Sequence, residues 1–235
     1  VRILIVRLGA FGDIVHTLPA LSDAALAIPD IRFDWIAEEA FTAVPSWHPS
    51  VSMVIPFALR RWRRGVLGAL RSGEPGVLLR RLRSESYDCV IDAQGLLKSA
   101  WVAALAQGPA HGLDRDSARE PLASRFYRIR HAVPRDLHAV ERVRVLFAAA
   151  LGYARPEAPP DYGIGYLASP ERAKRPSRLV LLHGTTWASK HWPEEHWRRL
   201  AAIAADQGCE VRLPWADPVE RERAERIAEV SSRVS

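Results

Sequence analysis

Short, largely apolar segments alternate with longer stretches of helical periodicity along this chain, and this alternation limits its fold more than any other feature. Strand-like runs cover residues 1–6, 31–37, 51–56, 87–92, 179–182 and 209–213. Strands that alternate with helices predict a parallel sheet, and strands without a polar face are typical of sheets covered by helices on both sides. The sequence therefore predicts an α/β fold with doubly wound parallel sheets.

A proline-rich break at residues 154–160 separates two such series, because dense prolines disfavour both helix and central strand. We predict a first domain of residues 1–153, a linker of residues 154–178 and a second domain of residues 179–235. The second series holds two clear strand–helix units, too few to bury both faces of a doubly wound sheet. We therefore expect the second domain to be incomplete.

Composition excludes several classes of protein. An apolar share of 48% with 26% charged residues is typical of a globular chain. No apolar run reaches the roughly 18 residues of a membrane span, and no signal-like segment precedes the first strand, so we expect a cytosolic protein. Cys89 and Cys209 are isolated in apolar runs without metal-ligand spacing, and we expect both to be reduced core residues.

The positive charge is concentrated in one region. The chain has a formal charge of +6, and residues 50–83 hold eight arginines against the single acid Glu74. A solvated helix face is the ordinary alternative, but such faces normally mix charges of both signs. Nucleic acid is a competing partner, although no nucleic-acid module is recognisable. A phosphorylated acceptor or an anionic lipid surface fits the local cluster better.

The first strand is followed by a turn that contains Gly9, Gly12 and Asp13. In open parallel sheets ligands bind at the carboxyl ends of the strands, so this turn predicts a binding site. The G-x-x-G spacing is only a weak dinucleotide signal. Asp13 is either a helix N-cap or a general base at the crevice, and the two roles are compatible because capping would fix the carboxylate.

The loop after the strand at residues 179–182 carries hydroxyls and Lys190 toward a helix that begins near Pro193. These are groups that neutralise a departing diphosphate, and Lys190 is the leading candidate for that role. His183, His191 and His196 lie nearby, but their spacing matches no common metal-binding pattern. We therefore expect no metal site.

Five segments, in the same order along the chain, resemble those of the lipopolysaccharide heptosyltransferase I family of ADP-heptose:LPS heptosyltransferases. They are GDIVHTLPAL at 12–21, RRWR at 60–63, DAQGLLKS at 92–99, AREPLAS at 118–124 and KHWPEEHW at 190–197. The resemblance implies a GT-B glycosyltransferase with two Rossmann-like domains, the first for the acceptor and the second for the donor. It implies inverting, metal-independent transfer of L-glycero-D-manno-heptose from ADP-heptose to Kdo2-lipid A in inner-core synthesis. ADP-heptose would be a substrate, with no cofactor.

The resemblance also assigns roles to residues. It implies that Asp13 is the catalytic base and that Thr185, Thr186, Lys190 and Glu220 bind the donor, with Glu220 contacting the sugar of its nucleotide. The implied acceptor-binding cations are Arg60, Arg61, Arg63, Arg64, Lys98 and Arg119. It further implies peripheral contact with the cytoplasmic face of the inner membrane. The family's Asp-x-Gly-x-x-His donor segment is not found in these residues, and the first loop lacks the hydroxyls often present there.

Two other functions remain open at this stage. A nucleotide-dependent oxidoreductase shares the alternating elements, but it would need a fuller glycine fingerprint and a better ribose-binding acid than Asp34. A non-catalytic fragment that binds phosphorylated glycolipid through its arginines would show acceptor binding without turnover.

Overall fold

The computed structural model describes residues 1–167, 177–185 and 188–235. The chain divides into two compact units, Val1–Leu167 and Ala168–Ser235. None of the helices in the described part of the chain is both long enough and apolar enough to cross a membrane.

The first unit contains a six-stranded parallel sheet. Its strands are β1 (Arg2–Val6), β2 (Arg32–Glu38), β3 (Val51–Phe57), β4 (Cys89–Asp92), β5 (Ala110–Leu113) and β6 (Ile129–His131). They lie in the order β3-β2-β1-β4-β5-β6, and Ile5 of β1 pairs with Trp35 on one side and Ile91 on the other. The order reverses between β1 and β4, which is where open sheets of this type form a crevice.

Helices cover both faces of this sheet. In chain order they are α1 (Phe11–Val15), α2 (Leu18–Ala27), α3 (Leu59–Arg64), α4 (Val66–Ser72), α5 (Glu74–Ser84), α6 (Leu97–Leu105) and α7 (Ala139–Leu151). Successive residues of β1 are buried in two different apolar cores, Ile3 and Ile5 with α1, α2 and α7, Leu4 and Val6 with α5 and α6. Each such buried side chain contributes about 1.5–3 kcal/mol. This two-sided burial explains why β1 has no polar face.

The described part of the second unit is a smaller α/β assembly. Strands β7 (Arg178–Val180) and β8 (Glu210–Arg212) are parallel, and α8 (Glu194–Asp206) and α9 (Pro218–Ala228) pack beside them. Their apolar core includes Leu181, Val211 and Ile227. The strand predicted at residues 179–182 ends earlier in the structure, because Leu182 lies in the following loop and is 73% exposed.

The predicted linker is divided by the structure. Residues 154–167 belong to the first unit, so the boundary lies later than the predicted one at 153. Arg144 of α7 is the reason, because its guanidinium donates to the carbonyls of Pro156 and Ala158 at 3.1 and 3.0 Å. The same group forms a buried ion pair with Asp23 of α2 at 2.7 Å. A proline-rich segment is thus held against the first unit by polar contacts that its composition does not reveal.

Candidate functional site

The loops at the carboxyl ends of β1, β2 and β4 surround a cavity of about 400 Å³ in the first unit, which we call the polar pocket. Its charged and amide lining consists of Arg7, Asp13, Glu38, Arg60, Gln94, Lys98, Arg119 and Arg142. The structure therefore brings together Asp13 and three of the predicted acceptor-binding cations. Arg7 and Arg142 are additional cations that the sequence analysis did not identify.

Asp13 is the third residue of α1 and has a side chain that is 44% exposed. It is not the N-cap, which is Ala10, but its Oδ2 accepts a hydrogen bond from the Ala10 N–H at 3.3 Å. Its Oδ1 lies 3.4 Å from Nη2 of Arg7. The carboxylate is thus oriented by backbone and by a cation while one side stays accessible, an arrangement that suits a general base.

Arg7 follows β1 directly and is 9% exposed. Its Nη1 donates to the carbonyl of Ala93, and its own carbonyl accepts from Nε1 of Trp35 at 3.1 Å. Burial lowers the pKa of Arg7, and the neighbouring carboxylate of Asp13 opposes that shift. The group remains a cation at neutral pH because the ordinary arginine pKa is far above 7.

Asp92, at the end of β4, shapes the opposite wall of the pocket from inside the protein. Its carboxylate accepts from the N–H groups of Gln94 and Gly95, from Ser99 Oγ at 2.8 Å and from Tyr127 OH at 2.7 Å. Burial raises the pKa of Asp92, while these hydrogen bonds oppose the shift. The segment predicted as a family motif therefore includes a buried structural acid whose hydrogen bonds fix the loop leading into α6, the helix that carries Lys98.

The basic cluster lies on α3, and its members have different environments. Arg60 lines the polar pocket and stacks over the ring of Phe41 with 5.3 Å to the centroid. Arg63 and Arg64 are exposed and do not line the pocket. The structure thus places one arginine of this helix at the site and two at the surface.

Arg61 is already paired with two carboxylates. Its guanidinium contacts Glu74 at 2.6 Å and Glu39 at 2.8 Å. The hydrogen bonds from Arg61 and Trp62 lower the pKa of Glu74 to about 2. An anionic acceptor would have to compete with these carboxylates for Arg61. Glu39 precedes the cluster by 22 residues, so the sequence count of one nearby acid did not include it.

Lys98 and Arg119 are exposed and line the polar pocket, Lys98 from the first turn of α6, just after the loop that follows β4, and Arg119 from the loop after β5. Those loops are tied together, because the Glu120 N–H donates to the Gly95 carbonyl at 3.1 Å and the Leu97 N–H donates to Glu120 Oε2 at 2.6 Å. Gly95 has a φ of 69°, which a side chain would strain. The two cations are therefore held at a common edge by a braced pair of turns.

The predicted donor-binding residues belong to the second unit. Glu220 is the third residue of α9, and its Oε2 accepts from the Ala216 N–H at 2.9 Å. It lines a small pocket with Gly184, Trp215 and Leu182. A Cβ at Gly184 would overlap the Glu220 carboxylate, so the glycine leaves the space that this side chain occupies.

Thr185 and Lys190 lie near this pocket in sequence but do not line it. Thr185 is half-buried, and its carbonyl is 2.9 Å from Nε2 of His191. Lys190 is exposed at the end of a short 3-10 turn. Thr186 lies outside the described residues. Among the residues that the structure describes, no group of three or more His, Cys, Asp or Glu side chains is arranged to hold a metal ion.

Comparisons with known proteins agree with one another. The model of the family described as "Glycosyltransferase family 9 (heptosyltransferase)" matches residues 76–234. Lipopolysaccharide heptosyltransferase 1 of Pseudomonas aeruginosa is 54% identical over 228 residues, which are 97% of this chain and 64% of that relative. The chain therefore spans somewhat less than two thirds of the length of this curated relative.

Two solved structures of the Escherichia coli heptosyltransferase WaaC are also similar. The one with ADP has a TM-score of 0.93 and 48% identity, covering 99% of this chain and 73% of that one. The one with ADP-2-deoxy-2-fluoro heptose has a TM-score of 0.90 and 48% identity, covering 97% and 73%. These matches confirm the predicted fold class, α/β of the GT-B type.

Proposed function

This chain belongs to glycosyltransferase family 9, the heptosyltransferases, and on that premise we propose that the protein transfers L-glycero-D-manno-heptose from ADP-heptose to a Kdo sugar of Kdo2-lipid A. The observation that carries the proposal is the polar pocket, in which an accessible carboxylate lies among five cations. A base surrounded by positive charge suits the deprotonation of a hydroxyl on a strongly anionic acceptor.

The donor assignment is supported by the second unit and its relatives. The E. coli enzyme has been solved with ADP and with a fluorinated ADP-heptose, and it is 48% identical to this chain. We propose that Glu220 contacts the nucleotide's sugar, and that Thr185, Thr186 and Lys190 contact the diphosphate. A lysine next to a departing diphosphate stabilises the charge that develops on it. In this proposal that neutralisation comes from the side chains, without a metal ion or cofactor.

The proposed chemistry is a single displacement. Asp13 removes the proton from the acceptor hydroxyl, the hydroxyl oxygen forms a bond to the anomeric carbon of heptose, and the bond to the ADP oxygen breaks. The configuration at that carbon is inverted, ADP leaves with the bonding electron pair, and the proton remains on Asp13 until water accepts it. The Ala10 N–H and Arg7 hold the Asp13 carboxylate in place for this step.

The acceptor-binding side of the proposal rests on Arg60, Lys98 and Arg119 in the pocket, with Arg61, Arg63 and Arg64 nearby on α3. Guanidinium groups match phosphate and carboxylate oxygens in pairs. We also propose that the exposed Arg63 and Arg64 contact anionic headgroups at the cytoplasmic face of the inner membrane. Each basic residue near such a surface contributes about 1 kcal/mol of attraction.

The decisive test is release of ADP by the full-length protein. We expect release only when both ADP-heptose and Kdo2-lipid A are present, with the rate unchanged by a metal chelator. Acceptor binding without ADP release from the full-length protein would instead support a non-catalytic glycolipid-binding role. The 235-residue chain, assayed in parallel, tests whether these residues suffice for turnover.

A further inference from the structure

A second cavity of the first unit is apolar, and the proposed chemistry does not use it. It has a volume of about 340 Å³ and is bounded by α3, α5 and α6. Its walls include Trp62 of α3, Leu78 and Leu79 of α5, and Trp101 and Leu105 of α6. Every lining residue in the described part of the chain is apolar or glycine. We call this cavity the apolar groove.

The apolar core beneath the groove fixes its shape. Phe57, Leu82 and Val102 are buried members of that core and also line the groove. Nε1 of Trp62 donates to Glu74 Oε2 at 2.9 Å, and the Trp62 ring meets the Phe57 ring edge-on, with 5.5 Å between centroids. The polar atom of this tryptophan is therefore already satisfied. The groove is preformed, as sites for small apolar groups usually are.

Part of this apolar surface is accessible to water. Trp101 is 54% exposed, although tryptophan side chains are on average highly buried in folded proteins. Leu78 and Leu79 are half-buried. Contiguous exposed apolar surface marks a site for a ligand, a membrane or a protein partner. The edge of the groove decides among these occupants.

Two arginines of α5 lie at that edge. A Cβ added to Gly76, which lines the groove, would be 3.7 Å from Nη1 of Arg80. Arg83 lines an adjoining depression together with Leu105, which also lines the groove. Both arginines are exposed, and neither has a carboxylate within ion-pair distance among the residues that the structure describes. A hydrocarbon lining with an uncompensated cationic edge is complementary to an anionic amphiphile.

The size of the groove favours a single hydrocarbon chain. Its volume of about 340 Å³ is near the lower limit of small-molecule sites, roughly 300 Å³. A helix of a partner protein is about 10 Å across, so it would lie over the groove and insert only isolated side chains. An alkyl chain can instead contact all three helices along its length.

Resting on the proposed membrane contact, we propose that the apolar groove binds one acyl chain of an anionic bilayer lipid, whose headgroup contacts Arg80 and Arg83. This lipid belongs to the membrane and is distinct from the glycosyl acceptor. The helices that hold it also serve the polar pocket, because α3 carries Arg60 and α6 carries Lys98. A lipid bound between them keeps the polar pocket at the membrane surface, where a lipid-linked acceptor is presented.

Titration of the full-length protein with hexyl, octyl and decyl phosphate, each kept monomeric, tests the groove without a membrane. The Kd should fall about fourfold for each added methylene, because each one leaves water for an apolar wall. A phosphate bound in the polar pocket alone would show no such dependence. A Kd that is independent of chain length overturns the proposal, including the case in which another part of the full-length protein fills the groove.

Two glycines provide a matched pair of variants. Gly76→Leu should weaken binding of decyl phosphate about tenfold, the effect of losing roughly two methylene contacts. Gly68→Leu adds the same side chain on α4, where a Cβ meets nothing within 4 Å and the residue does not line the groove, so the Kd should not change. Equal losses in the two variants overturn the proposal. Replacing Arg80 and Arg83 by glutamine should remove the preference for decyl phosphate over neutral decyl maltoside, and a preference that persists overturns the headgroup contact.

Vesicles of phosphatidylglycerol with brominated acyl chains, free of any acceptor, test the source of the lipid. Bromine quenches tryptophan fluorescence on contact, so we expect quenching that is reduced in Trp101→Phe and in Gly76→Leu but not in Gly68→Leu. Absence of binding to these vesicles, or quenching that is the same in all four proteins, overturns the proposal. Absence of ADP release with normal chain-length dependence overturns the proposed transfer reaction alone. Normal ADP release without chain-length dependence overturns only the lipid site.

Discussion

Asp13 and Glu220 occupy the same position in two different helices, yet their surroundings differ. Each is the third residue of its helix and accepts a hydrogen bond from a backbone N–H shortly before it. Asp13 faces a pocket with five cations, whereas Glu220 fills the space above Gly184 beside Trp215. The same local capping device therefore holds a proposed base in one unit and a proposed ligand contact in the other, and the neighbouring residues determine which.

The largest effect should come from exchanging these acids for amides. Asp13→Asn keeps the backbone contact but accepts no proton, so kcat should fall about 10²- to 10⁴-fold with an unchanged melting temperature. Glu220→Gln should raise the KM for ADP-heptose while kcat changes little. Steady-state kinetics of both variants test this difference. A loss of kcat in Glu220→Gln as large as that in Asp13→Asn would contradict the separate roles assigned to the two acids.

Lowering the pH should destabilise the first unit through His48, which is 2% exposed. Its Nε2 is 3.0 Å from Ser22 Oγ, and burial lowers its pKa from 6.5 to about 4. Because the unfolded chain binds this proton more readily, the stabilisation is present above pH 6.5 and is lost as the pH falls toward 4. The loss should reach about 3 kcal/mol.

Denaturant unfolding at pH 7 and pH 5 should show about 2 kcal/mol of this loss, and His48→Gln should flatten the dependence. If the free energy of unfolding of that variant depends on pH as strongly as that of the unmodified protein, groups other than His48 control the acid response. In the second unit, burial likewise lowers the pKa of His183, which precedes Gly184.

A smaller effect should distinguish Gly184 from Gly12 when each is replaced by alanine. A Cβ at Gly184 would overlap the Glu220 carboxylate, whereas a Cβ at Gly12 would meet nothing within 4 Å. Gly184→Ala should therefore destabilise the protein by about 1–3 kcal/mol and weaken ADP-heptose binding. Gly12→Ala should change the free energy of unfolding by less than about 1 kcal/mol. Chemical denaturation of both variants checks this, and similar losses would contradict the packing argument.

The smallest expected change concerns the acceptor cations. Arg119 lines the polar pocket and Arg63 does not. Arg119→Ala should raise the KM for Kdo2-lipid A about tenfold, as expected for one charged hydrogen bond, while Arg63→Ala should raise it less. Kinetics with the acceptor in detergent, where no membrane is present, provide the measurement. A larger increase in KM for Arg63→Ala than for Arg119→Ala would instead indicate that the acceptor's anionic groups contact α3 outside the polar pocket.

Much of the sheet was predictable because its strands are apolar. β1 to β4 lie where the sequence predicts strands, but β5 and β6 were missed. β5 reads Ala-His-Gly-Leu and β6 reads Ile-Arg-His, so neither has an apolar run. They form strands because β5 pairs with β4 and β6 pairs with β5, which is tertiary context that local sequence does not carry.

The part of the site that follows the carboxyl ends of the parallel strands was predictable from the sequence. Asp13, Lys98 and Arg60 follow β1, β4 and β3, and the carboxyl ends of parallel strands lie at one edge of a sheet. Arg7 and Arg142 were missed because burial of an arginine depends on residues distant in sequence. The position of Arg7 directly after a fully buried strand was the one available signal. Nothing local indicates that Glu39 pairs with Arg61.

The path of residues 154–167 determines the smallest portion of the protein that can be isolated intact. In this segment Tyr166 OH donates to the Trp47 carbonyl at 2.5 Å, and Gly163 lies against the ring of His48. Cleavage after residue 153 would remove two carbonyl acceptors from Arg144 and uncover the apolar core against which Ile164 packs. An amino-terminal fragment for crystallisation or ligand screening should therefore extend to Leu167.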